Sequence, residues 1–266
     1  MMRMHGFERP VLVGEYNGPT LFEFPEVEAL LQQILADVFA QGDTVAFSTA
    51  ELTAQAARET PERRAMKALY ARMPELPPQL RMFMAGCPRE LEEKRHRINC
   101  RQVVTRNLLA LSAGVTRTAC WNLAPEVPHY ADPLNMMGLL FGKLTLMDYT
   151  DADLRLRHPS AETFRLLTRQ LADATSVTRV EVDAQPDLFA FEVRCHGRDS
   201  LLVLWKQGDT FSGETDPPVT VEWSWTSPAV HAVDVFGARH PVEHRDGAVR
   251  IAISSTPTFI SASQLT

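Results

Sequence analysis

A single carboxylate, Glu15, closes a short apolar run that opens on a proline: Pro10-Val11-Leu12-Val13-Gly14-Glu15-Tyr16. The run reads as a buried strand of a parallel sheet. The carboxyl end of such a strand is where parallel-sheet enzymes set their reacting groups. Glu15 is therefore either a catalytic carboxylate or half of a salt bridge at a strand end. Tyr16 and Asn17 stand beside it, and they either orient the acid and a ligand or only make the turn marked by Gly18-Pro19. Much further along, Val115-Thr116-Arg117-Thr118-Ala119-Cys120 ends in Trp121. An indole there offers a flat apolar face to a ligand or fills the core. The stretch behind it holds Glu126, His129, Tyr130 and Asp132. His129 and Tyr130 line a subsite or an exposed loop, and the spacing of Glu126 and Asp132 singles out neither as an acid.

Other side chains point away from chemistry. Cys87, Cys100, Cys120 and Cys195 are widely separated, with no CxxC spacing. They read as free thiols, which excludes neither compartment but leans towards a reducing, cytoplasmic one. Glu92, Glu93, Lys94, Arg95 and His96 read as a solvated helix start, and no metal or other cofactor is expected.

Positioning these groups requires a particular order of elements. Val27, Leu30, Leu31, Ile34, Leu35, Val38 and Phe39 recur at helical spacing over 26–40. Two further helices are expected over 49–58 and 61–73, within a segment, 43–88, that reads as a helical insertion. The strongest helical pattern covers 89–113, with acids in its first turns and Gly114 as its stop. Another helix opens at His158-Pro159-Ser160 with Ser160 as N-cap. Beyond residue 176 the apolar period changes from helical to alternating. Short strands centred on Val180, Phe191, Val203, Val221, Val233 and Ile251 are separated by turn signals such as His196-Gly197 and Asp246-Gly247. Trp223 and Trp225 share one strand face and read as core. The series predicts an antiparallel β-sandwich over 177–266.

The chain has 266 residues, 45% of them hydrophobic, with a net charge of -6. That acidity argues against nucleic acid as the main partner, because phosphate binding needs a basic face. No apolar run reaches the roughly 18 residues of a membrane span, so no membrane association is expected.

The order of elements resembles the C-terminal part of a retaining (β/α)8-barrel glycoside hydrolase of the two-glutamate clan. Val11-Leu12-Val13-Gly14-Glu15-Tyr16 resembles the seventh barrel strand, which carries the nucleophile in that group. Ala119-Cys120-Trp121 resembles the eighth, where an aromatic often floors the sugar subsite. Phe141-Gly142 and His158-Pro159-Ser160-Ala161 are similar to the last loop and the start of the eighth helix. Val233-Asp234-Val235-Phe236-Gly237 and Thr256-Pro257-Thr258-Phe259-Ile260 are similar to closing strands of the accessory sandwich.

The resemblance implies an α/β plus all-β fold. Residues 1–176 would form a partial TIM-barrel-like portion, and 177–266 the antiparallel β-sandwich. It implies hydrolysis of glycosidic bonds by double displacement on a carbohydrate substrate, with Glu15 as nucleophile and Tyr16, Asn17, Trp121, His129 and Tyr130 about the sugar. Such chemistry needs a second carboxyl group about 5–5.5 Å from the first. The clan carries it in an Asn-Glu pair on its fourth strand, and this sequence has no Asn-Glu dipeptide. A full barrel takes about 250 residues, and only two barrel strands precede the sandwich. Two alternatives therefore stand beside the enzyme. One is a non-catalytic carbohydrate-binding or scaffold protein. The other is a truncated barrel completed by another chain or by further copies of this one, as a homo-oligomer.

Overall fold

The computed structural model describes residues 10–16, 18–21, 24–40, 61–125, 134, 143–151, 153–182 and 185–263. The chain divides into two compact units. One comprises the described residues of 1–17, 100–121 and 159–266, the other those of 18–99 and 122–158.

The first unit begins with β1, Val11–Tyr16, which pairs in parallel with β2, Val115–Cys120. The pairing satisfies the expectation of a parallel partner, but the burial does not. Leu12 is 58% exposed, and β1 as a whole is exposed to half-buried. Among the described residues β1 and β2 form a sheet of two strands, too narrow to cover both faces of either. Val13 stands opposite Thr118 and Tyr16 opposite Cys120, so Gly14 and Glu15 together face Ala119 alone. This is a bulge, which bends the strand at the carboxylate.

Two antiparallel sheets follow. Strands β5 (Ala174–Val180), β6 (Leu188–Cys195), β7 (Leu201–Lys206), β9 (His231–Asp234) and β12 (Thr258–Ser261) form a five-stranded sheet in the order β5-β6-β7-β12-β9. Strands β8 (Val219–Ser224), β10 (Glu243–Arg245) and β11 (Ala248–Ile253) form a three-stranded sheet in the order β10-β11-β8. The alternation visible in the sequence separates the two faces of β6. Leu188 and Ala190 join Leu202, Leu204, Val221, Val249, Ile251 and Ile253 in one apolar cluster shared by both sheets. Phe191 and Val193 face the other way. There they pack with Val103, Val104 and Leu108 of α3 (Arg89–Ser112) and Leu167 of α4 (Pro159–Leu171). Trp205 is buried in that cluster, with its ring stacked 5.3 Å from Phe189 and 4.9 Å from Phe191.

Helix α3 starts in one unit and ends in the other. Gly114 ends it at φ +91°, a conformation that side chains with a Cβ adopt only with strain. Helix α4 begins one residue before the expected cap. Pro159 occupies the first turn, where its missing N–H costs nothing. Ser160 is therefore inside the helix and buried, not its N-cap.

The second unit contains α1, Pro25–Ala40, and α2, Pro61–Ala71. Val27, Leu30 and Ile34 of α1 and Met66 and Leu69 of α2 are buried. The helix expected over 49–58 lies outside the described residues. The hairpin β3–β4 (Met147–Thr150 and Asp153–Arg157) was not foreseen. Among the described residues, no helix is long and apolar enough to cross a membrane.

Candidate functional site

Because β1 and β2 run parallel, their carboxyl ends lie at the same edge. Glu15 is exposed at that edge, on the bulge. The Trp121 backbone N–H donates to the Tyr16 carbonyl at 2.9 Å, which extends the ladder past β2 and holds the tryptophan beside the end of β1. Trp121 is half-buried.

Tyr16 is turned towards helix α3. Its hydroxyl accepts a hydrogen bond from Asn107 Nδ2, and the same amide nitrogen donates to the Val103 carbonyl at 2.6 Å. Asn107 Oδ1 in turn accepts from the Thr118 hydroxyl of β2. One buried amide thus ties both strands to the helix, with its donors and its oxygen all in use. Burial, and then the neighbouring Cys120 thiol, push the Tyr16 phenol well above its ordinary value. Burial likewise raises the Cys120 thiol. Tyr16 is a fixed neutral phenol directly after the exposed carboxylate. Asn17, His129 and Tyr130 lie outside the described residues, as do Glu126 and Asp132. The structure brings Glu15, Tyr16 and Trp121 to one strand edge.

A second group of polar side chains, in the other unit, corrects the expectation of a solvated helix start. Arg95 is only 2% exposed. Its guanidinium donates to the Met82 carbonyl at 2.8 Å and to Glu92 Oε1 at 3.1 Å. A terminal guanidinium nitrogen also lies 3.3 Å from His96 Nε2. Arginine can only donate, so that ring nitrogen accepts and the proton sits on Nδ1. The His96 ring lies against that of His158, tilted by 31° with centroids 4.8 Å apart. His158 Nε2 is 3.7 Å from Asp148 Oδ2. Lys143 Nζ is 3.8 Å from Glu92.

The electrostatics follow from the crowding of cations. Burial, then Arg95 and His158, lower the His96 pKa to about 4. Burial and then Arg95 lower that of Lys143. Burial by itself would raise the Glu92 carboxyl, but Arg95 and Lys143 together hold it below its ordinary value. Asn99 is buried one turn on from Arg95 and donates to the Lys143 carbonyl at 3.2 Å. Among the described residues, no group of three or more His, Cys, Asp or Glu side chains is placed to hold a metal. The four-residue spacing of Arg95 and Asn99 was the available signal. It puts two polar groups on one helical face, next to the buried Ile98.

No protein-family model matches the chain, and no curated protein matches it. Solved structures do. A family 39 glycoside hydrolase from the gut symbiont Bacteroides cellulosilyticus WH2 is similar over 62% of this chain and 30% of its own, at 13% identity and a TM-score of 0.44. The catalytic domain of GH30 xylanase C from Talaromyces cellulolyticus is similar over 62% of this chain and 35% of its own, at 8% identity and a TM-score of 0.43. The chain thus spans about a third of the length of these two structures.

Proposed function

We propose that this chain is glycoside-hydrolase-like, cleaving glycosidic bonds with retention of configuration and using Glu15 as nucleophile. One observation carries the reading: the parallel β1–β2 pair has an exposed carboxylate and a half-buried indole at its common carboxyl edge. That edge is where barrel enzymes set catalytic groups. In this reading residues 1–176 correspond to the last part of a barrel and 177–266 to an accessory sandwich. The two antiparallel sheets sharing one apolar cluster support the second assignment.

The chemistry divides between the side chains. Where the site is complete, the Glu15 carboxylate attacks the anomeric carbon as the leaving oxygen takes a proton from a second carboxyl group; the Asn-Glu pair that carries that group in the clan is absent from this sequence. Water then cleaves the glycosyl ester, activated by that same second group. Tyr16 is a positioning residue, fixing the strand end through Asn107. Trp121 supplies a flat apolar surface to the sugar ring. Asn17, His129 and Tyr130 are assigned to the sugar by the resemblance alone.

The test is turnover of a panel of nitrophenyl glycosides by the full chain. The reading expects hydrolysis of at least one, abolished by Glu15→Gln. Sugar binding without turnover would instead support the non-catalytic carbohydrate-binding protein.

A second reading has its own observation. Leu12 and Val11 are 58% and 36% exposed on a sheet that has two strands among the described residues. Exposed strands and apolar patches of this kind tend to be covered. We therefore propose association with another chain or a further copy of this one at β1–β2, to be read from the molar mass in solution.

A further inference from the structure

A cavity at the end of the two antiparallel sheets lies apart from the β1–β2 edge. It is lined from one side by Glu192 and Arg194 of β6 and from the other by Trp223 and Trp225, on and just after β8. Its volume is about 400 Å³, within the range of small-molecule sites. We propose that this cleft binds a neutral oligosaccharide, stacking sugar rings on the two indoles and holding vicinal hydroxyls with Glu192 and Arg194.

The walls suit that ligand. Trp223 packs on the apolar cluster shared by the sheets, which fixes its ring. Trp225 packs there too, and its indole N–H donates to the Ala229 carbonyl at 2.9 Å. With its only polar atom committed, Trp225 has apolar surface alone to offer. Its backbone N–H donates to the Gly247 carbonyl at 2.7 Å, so the strand ladder holds it in place. A rigid aromatic wall binds without the cost of ordering a side chain. The opposite wall is the reverse in character. Among the described residues neither Glu192 nor Arg194 makes an ion pair, which leaves an acceptor pair and a donor fork for hydroxyl groups. Asp199 also lines the cleft and accepts from the Ser263 hydroxyl at 3.4 Å. Two carboxylates against one guanidinium disfavour an anionic ligand, which selects neutral glycans over uronates and phosphates.

This inference is independent of the function proposed for Glu15, and the experiment separates them. Cellotetraose, xylotetraose and mannotetraose are titrated into the full chain carrying Glu15→Gln, with calorimetry and tryptophan fluorescence as readouts. At least one sugar is expected to bind and to perturb the fluorescence. Trp225→Ala is expected to weaken it by about tenfold or more. Glu192→Ala and Arg194→Ala, changes outside the apolar cluster, are each expected to weaken it several-fold. Their effect remains readable if Trp225→Ala fails to fold. Failure of all three sugars to bind overturns the proposal. So does affinity unchanged by both Glu192→Ala and Arg194→Ala.

Discussion

Asn107 is the residue on which the candidate site is most dependent. Its amide is buried, bonded to Tyr16, to Val103 and to Thr118. Asn107→Leu leaves the Tyr16 and Thr118 hydroxyls without that partner. The expected loss is about 1–3 kcal/mol of unfolding free energy, measured by chemical denaturation. None of this could be read from the sequence. There Asn107 is one polar residue in an otherwise regular helical pattern, and Tyr16 of β1, which it holds, lies 91 residues away along the chain. His96 gives a second prediction. Its folded pKa is depressed from 6.5 to about 4, so the unfolded chain binds the proton first as pH falls. The stability associated with the neutral ring is complete above 6.5 and is lost progressively down to about 4. Chemical denaturation across that window should show a decline that His96→Gln reduces. A decline identical in the variant would assign the acid sensitivity to other groups.

Among the elements, strands β6, β7, β8, β9 and β11 and helices α1, α2, α3 and α4 were legible from their apolar patterns, whereas β10, Glu243–Arg245, has no apolar residue to signal it. The β3–β4 hairpin was not legible either. Met147–Thr150 and Asp153–Arg157 are short and carry several charges. Their turn includes Asp151 at φ +55°, where a glycine would have signalled it. The burial of β1 was misjudged for a different reason. Three apolar residues in a row, Val11, Leu12 and Val13, suit a strand covered on both faces, and the sequence holds no record of how many neighbours a strand will have. Gly114 allows a test at this scale. With φ at +91° and open space where a Cβ would stand, Gly114→Ala has backbone strain but no clash. It should destabilise by roughly 1 kcal/mol. A stabilised variant would show that the end of α3 adopts another conformation.

Across the whole molecule, the candidate site occupies little of the chain. The larger part of the first unit is two antiparallel sheets and the helices against one of them. The parallel pair contributes the carboxylate, and its exposed Leu12 predicts a partner surface. If copies of the chain cover β1, light scattering will give a molar mass above that of the single chain, and Leu12→Lys will lower it. A strict monomer contradicts that reading without touching the chemistry. The chemistry has its own direct measurement. The full chain is incubated with 2-deoxy-2-fluoro aryl glycosides of the gluco, xylo, manno and galacto series, then digested and mapped by mass spectrometry. A retaining mechanism traps a glycosyl ester on its nucleophile, so the account predicts one sugar adduct, carried by the peptide containing Glu15 and absent from Glu15→Gln. An adduct on a different carboxylate, or none from any of the four sugars, would contradict it.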